Sequence, residues 1–171
     1  MNMMIVNNVE ISRRPPGEPL TVALGGLGLR PRTLPQAVQD AVDALPEAAF
    51  TPLDGDSAQP LAQARAMLAL LVRSYAEQIY GSAAVASRIP NDSDFPWPWW
   101  EALPDASALS RFRAANRSAL QLCLTAALRF QVEEKIAAGE VTRIHLPRLA
   151  EEARRRITMA AFADSLELAT E

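Results

Sequence analysis

Arg111, Arg113 and Arg117 lie close together near the middle of the chain, a few residues after Pro104-Asp105. An arginine guanidinium is a planar fork of donors that matches phosphate oxygens and guanine edges. At about 100° per residue, a helix through this stretch puts Arg113 and Arg117 on one edge and Arg111 on another. Ser107 precedes them at the start of that helix, where backbone N–H groups favour a phosphate. Ser107, Arg111, Arg113 and Arg117 are therefore the candidate nucleic-acid-binding residues. The competing reading has these arginines lying over the core or pairing with carboxylates such as Asp105.

Trp97, Trp99 and Trp100 alternate with Pro96 and Pro98, and they are the only tryptophans in the chain. Rings presented this way anchor a protein partner, stack on bases, or plug a proline-rich loop against the core. Arg154-Arg155-Arg156 follows Glu151-Glu152, so helical i, i+4 pairing accounts for the run without a ligand. A phosphate-binding patch is the other reading. Asp54 with Asp56, and Asp92 with Asp94, sit among turn formers, where aspartate caps helices and closes turns. They are not read as metal ligands. His145 precedes Leu146-Pro147 and suits a surface or capping position.

The simple counts exclude much else. One cysteine, Cys123, forbids an internal disulfide, and its place on an apolar helical stripe reads as an inert core thiol. One Cys and one His cannot build a zinc site without several carboxylates. No triad, phosphate-binding loop or carboxylate set is assembled, so the chain reads as a non-enzyme that needs no cofactor. The apolar run from Val22 to Leu29 is too short and glycine-rich to cross a bilayer, which makes cytoplasmic the default location. The 171 residues carry 17 basic and 20 acidic side chains, for a net charge of −3. That balance argues against a whole-surface polyanion binder. Residues 105–131, with four Arg and one Asp, are positive against this background.

The elements that position these groups follow from periodicity. Alanine (31) and leucine (21) bias the chain towards helix. Residues 1–32 read as an arm, with short strands at 3–6 and 9–11 and an irregular Pro- and Gly-rich remainder. Thr33 caps a helix that carries Val38, Ala41, Val42 and Leu45 and stops at Pro46. Leu61, Ala64, Leu68, Leu71, Val72, Tyr75 and Ile79 mark a second helix ending at Gly81. Ser82 caps a short helix through Ile89. A long helix over 107–138 ends at Gly139, and Pro147 opens the last one. Residues 33–171 therefore predict a single, mainly α domain: a small irregular bundle of four or five helices.

The stretch from about Leu68 to Gly139 resembles the N-terminal helical domain of bacterial insertion-sequence transposases of the IS5/IS1182 kind (the DUF772 type). The residues that carry the resemblance are Leu70-Leu71 with Tyr75, Tyr80-Gly81-Ser82, Ile89, Asp92, Phe95 and the block Pro104 to Arg113. Ala114, Ala115 and Asn116 stand where that family continues with basic residues and a histidine, and the Pro-Trp insert is not typical of it. After Gly139 only 32 residues remain, with no room for the RNase-H-like catalytic domain that follows in such transposases. The resemblance implies a non-catalytic relative, DNA-binding or a remnant of a mobile element. The alternative is a protein-interaction or oligomerisation module that uses the tryptophan loop and binds no nucleic acid.

Overall fold

A computed structural model describes residues 32–52, 59–91 and 102–170. Among these residues there are six α-helices and no strand: α1 (Leu34–Asp43), α2 (Pro60–Ala76), α3 (Ser82–Arg88), α4 (Ala106–Ala115), α5 (Arg117–Ala137) and α6 (Leu146–Thr170). The mainly α expectation holds, with one helix more than expected. The strands expected in the arm and the tryptophan loop lie outside the described residues.

α2 is the centre of the bundle. From Met67 to Ala76 every residue is buried, so this part of the helix is enclosed on all sides rather than amphipathic. α5 packs against α1, α2 and α6, while α3 and α4 pair at one end of α2. Tyr75, Phe112, Met67, Leu68, Leu71, Leu109, Leu120 and Leu124 are fully buried and form the core. Each such side chain is worth about 1.5–3 kcal/mol over its exposed state.

α1 starts as its sequence foretells. The Thr33 hydroxyl accepts from the Gln36 N–H, and the Gln36 side chain accepts from the Thr33 N–H. This reciprocal capping box satisfies two otherwise orphaned donors. α5 also ends at its expected glycine. Gly139 has φ +78°, its N–H bonds Ile136 O at 3.0 Å, and the Glu140 N–H bonds Lys135 O at 2.9 Å. That is a Schellman closure, and glycine enters the left-handed region at no steric cost.

α2 departs from expectation. It stops at Ala76, not at Gly81, and the residue that turns left-handed is Gln78, at φ +66°. The Ile79 N–H reaches Ser74 O at 2.8 Å and the Gln78 N–H reaches Tyr75 O at 3.2 Å, the same closure built without glycine. Gly81 stands just before α3, and the close neighbour its missing side chain leaves room for is the Glu167 carboxylate.

The long helix expected over 107–138 is two helices. α4 and α5 break at Asn116, whose φ and ψ are −111° and +27°. Its side chain is buried and clasps another part of the chain. Oδ1 accepts from Thr51 N–H at 2.7 Å, and Nδ2 donates to Thr51 O at 2.8 Å and to Phe112 O at 3.1 Å. This two-way bond to the Thr51 peptide offsets the helical continuity lost at the break.

A left-handed non-glycine residue carries strain of about 1–2 kcal/mol, against about 0.5–1 kcal/mol of extra backbone entropy for glycine. Gln78→Gly should therefore raise stability by up to about 1 kcal/mol in urea denaturation. Gly139→Ala should lower it by a similar amount.

Candidate functional site

The arginine cluster is divided by the fold. Arg111 and Arg117 are exposed, and Arg113 is 5% exposed. Helical phase explains the division. Arg113 lies four residues after Leu109 and one after Phe112, both with no exposed surface, so it points inward with them. Arg113 and Arg117 do not share a surface edge, and Arg113 is withdrawn from the set that can reach a phosphate.

Inside, Arg113 meets a carboxylate that its sequence neighbourhood does not contain. Its Nη2 donates to Asp164 Oδ2 of α6 at 2.6 Å and to Ser110 Oγ at 3.0 Å. Its Nη1 donates to Tyr75 OH and to Ser82 Oγ, each at 3.2 Å. Asp164 also accepts from the Ser82 N–H at 2.7 Å and from the Ser82 hydroxyl at 2.6 Å. Five side chains from α2, α3, α4 and α6 thus form one closed polar network in an apolar core. Ser82 is not the capping residue expected at α3. It is the first residue of the helix, and both its backbone and its side chain are spent on Asp164.

The charge states follow from these bonds. Burial alone pushes the Asp164 carboxyl up. Hydrogen bonds from the Ser82 hydroxyl and N–H, from Arg113 and from Ser110 outweigh it and hold the carboxyl below the usual range. Burial pushes the Tyr75 hydroxyl above its ordinary value, and the neighbouring Arg113 tempers the rise. Burial also pushes the Cys123 thiol up to about 12, so it is a protonated core group.

The start of α4 differs from expectation as well. Asp105 is its cap, accepting from the Ala108 N–H at 2.7 Å, and Ser107 is the exposed second residue of the helix. Ser107 and Arg111 border a pocket of about 330 Å³ together with Ser82, Ser110, Asp164 and Glu167. Arg117 lies at the other end of the α4–α5 corner, where its Nη2 donates to Thr158 Oγ1 of α6 at 3.5 Å. The Thr158 hydroxyl in turn donates to Arg154 O, which brings Arg117 beside the arginine run of α6.

That run is also divided. Arg154 pairs with Glu151 at 2.9 Å and Arg155 with Glu152 at 2.9 Å, both at i, i+3, so of the two i, i+4 pairs expected Glu151–Arg155 is not formed and Glu152–Arg156 is. Arg156 bonds Glu152 at 2.8 Å, its side chain only 11% exposed. Its Nη1 donates to Tyr75 O at 2.9 Å and Ala76 O at 3.0 Å. It therefore satisfies the last carbonyls of α2 with a cation, which the helix dipole favours. His145 is exposed, and its carbonyl accepts the first N–H groups of α6, from Arg148 and Leu149. Among the described residues no three His, Cys, Asp or Glu side chains gather where a metal could sit. None of their helices is long and apolar enough to cross a membrane.

Asp164 and the inward turn of Arg113 and Arg156 are what the sequence reading misses. The signal is faint but present. Ala153, Ile157, Ala160 and Asp164 recur at helical spacing on one face, so an acid occupies a core position and needs a buried cation. Comparison with protein-family models, with curated proteins and with solved structures gave no match.

Removing one member of a buried pair leaves the other charge uncompensated, a loss of about 3–5 kcal/mol. Arg113→Ala and Asp164→Ala should each lose that much in urea denaturation, whereas Arg113→Met with Asp164→Leu should recover a large part of it. A single variant within about 1 kcal/mol of wild type would contradict the role of the pair. Because the folded Asp164 carboxyl is depressed, its contribution is present above the unfolded value of about 4 and lost as pH falls through the folded one. The acid limb of the stability curve should flatten in the Met/Leu variant. Cys123 should resist thiol reagents in the folded protein and react at once in denaturant.

Proposed function

We propose that this chain is a non-catalytic, cytoplasmic nucleic-acid-binding module of the transposase-N-domain kind, derived from a mobile element. The observation that carries this reading is the pair of exposed arginines at the α4–α5 corner, Arg111 and Arg117. Neither forms an ion pair with a carboxylate among the described residues, although acids outnumber bases in the chain. Ser107 adds a hydroxyl one turn before Arg111. Arg154, one turn from Thr158, is spent on Glu151 and is not counted with them. Arg113 stands outside the contact surface, so the reading rests on fewer cations than the sequence suggests. Weak, salt-sensitive contact with the phosphate backbone is what such a set can do.

A second reading, a protein-interaction module, is favoured by a different surface. Met159 and Phe162 of α6 are 42% and 62% exposed.

Fluorescence anisotropy with a labelled duplex at low salt tests the first reading. Wild type should bind with a slope of log K against log salt of about −2, near 0.9 per phosphate contacted. Arg111→Ala with Arg117→Ala should weaken binding at least tenfold and flatten the slope by about 2. No binding by wild type, or equal binding by the double variant, overturns it.

A further inference from the structure

The pocket between α3, α4 and α6 has a segregated lining. Its hydroxyls and its cation come from α3 and α4: Ser82, Ser107, Ser110 and Arg111. Its two acids, Asp164 and Glu167, come from the second half of α6. The pocket of about 330 Å³ reaches the buried network from outside, since Ser82, Ser110 and Asp164 belong to both. There Asp164 accepts from Arg113 Nη2 at 2.6 Å, from the Ser82 hydroxyl at 2.6 Å and from the Ser82 N–H at 2.7 Å. A guanidinium joined by hydroxyl and amide donors around one pair of anionic oxygens also suits a phosphate group.

The segment that brings Asp164 is lightly attached. From Thr158 to the end of α6, Ala160 and Asp164 are the buried residues among the described side chains. The first half is held differently: Ala153 and Ile157 lie in the core, Leu149 packs against it, and Arg156 bonds the end of α2. One methyl group and one carboxylate thus fasten about three turns of helix. Few buried apolar contacts are what local opening requires. A buried ion pair returns little net stability, because both charges give up hydration. Exchanging Asp164 for another anion keeps Arg113 compensated and returns the carboxylate to water. Thr158, at the start of this half, also holds the Arg117 side chain.

We propose that Ser82, Ser110 and Arg113 form a site for a phosphate group, which Asp164 fills as a tethered substitute until the second half of α6 peels away. Opening takes both acids out of the pocket and leaves Arg111 and Arg113 beside three hydroxyls. A tethered carboxylate acts at an effective concentration on the order of millimolar or more, so a lone phosphate ion competes poorly with it. A phosphate on a chain already anchored through Arg111 and Arg117 is tethered too, and competes on equal terms. The proposal rests on the nucleic-acid reading for the source of the phosphate group, and it makes α6 the element that restrains that binding.

Asp164→Ala removes the substitute and leaves its place empty. Melting curves by circular dichroism, in about 50 mM inorganic phosphate and in chloride of equal ionic strength, read the site without nucleic acid. Phosphate should raise the Asp164→Ala midpoint by about 4 °C or more beyond its effect on wild type. Adding Arg113→Met should abolish that difference. If Asp164→Ala is largely unfolded in chloride, phosphate should restore its helical spectrum, because a ligand bound only by the folded state draws the chain back to it. Fluorescence anisotropy with the labelled duplex reads the source of the phosphate group. Asp164→Ala should bind at least about tenfold more tightly than wild type, with a salt slope steeper by about 1. Glu140→Gln removes an exposed acid from the link between α5 and α6 and should change binding less than about threefold. A phosphate effect no larger than in wild type overturns the proposal, as does one that survives Arg113→Met. Phosphate stabilisation without tighter duplex binding upholds the site, assigns it to a small phosphate compound and counts against the nucleic-acid reading. A gain in duplex binding that Glu140→Gln matches is a general charge effect and overturns the restraint by α6.

Discussion

A guanidinium and a carboxylate meet at 2.6 Å in the core, 51 positions apart in the chain, and the last helix is held at that point. Arg113 comes from α4 and Asp164 from α6. Ser82 of α3 and Tyr75 of α2 complete the shell of bonds. Two buried charges lose several kcal/mol each of hydration, so the pair is tolerated only because nearly every donor and acceptor around it is used. The arrangement is therefore strict about geometry. If α6 slid by one turn, Asp164 would leave Arg113 and Ser82 with no acceptor of equal strength. The apolar contacts of Ala153 and Ala160 do not impose such a register, because small side chains pack nearly as well one turn away.

Two further polar ties share this character. Arg156 binds the carbonyls that end α2, two helical turns before Asp164 on the same helix. Asn116 binds both sides of the Thr51 peptide at the break between α4 and α5. Each links segments distant in sequence through a side chain that could also have been solvated. The bundle thus combines an unspecific Ala/Leu interior with a few directional bonds that select one packing. The surface is what these bonds leave over: Arg111 and Arg117 at one corner, and the Met159–Phe162 stripe on the outer face of α6.

Much of the fold was legible locally. Thr33, Gly139 and Pro147 act through bonds or steric limits within a turn of themselves, so the starts of α1 and α6 and the end of α5 could be read from neighbouring residues. The end of α2 was misplaced because Gln78 takes a conformation that glycine usually takes, and Gly81 offered a more conventional stop. The break at Asn116 was invisible because its cause is Thr51, far away in the chain. The candidate site was legible to a smaller degree. Arg111 and Arg117 are where helical phase puts surface residues, whereas Arg113 follows the phase of Leu109 and Phe112 into the core.

The sequence by itself determined the class of the molecule. A chain this rich in alanine and leucine, with apolar residues at helical spacing and punctuating prolines and glycines, packs as a bundle of helices. Those are short-range preferences, carried by every segment on its own. Only the tertiary structure decided which charges work inside and which remain outside. An arginine has the same flexible stem and the same charge in either place, and the choice between them is made by whether another helix brings an acceptor, the Asp164 carboxylate for Arg113 and the last carbonyls of α2 for Arg156.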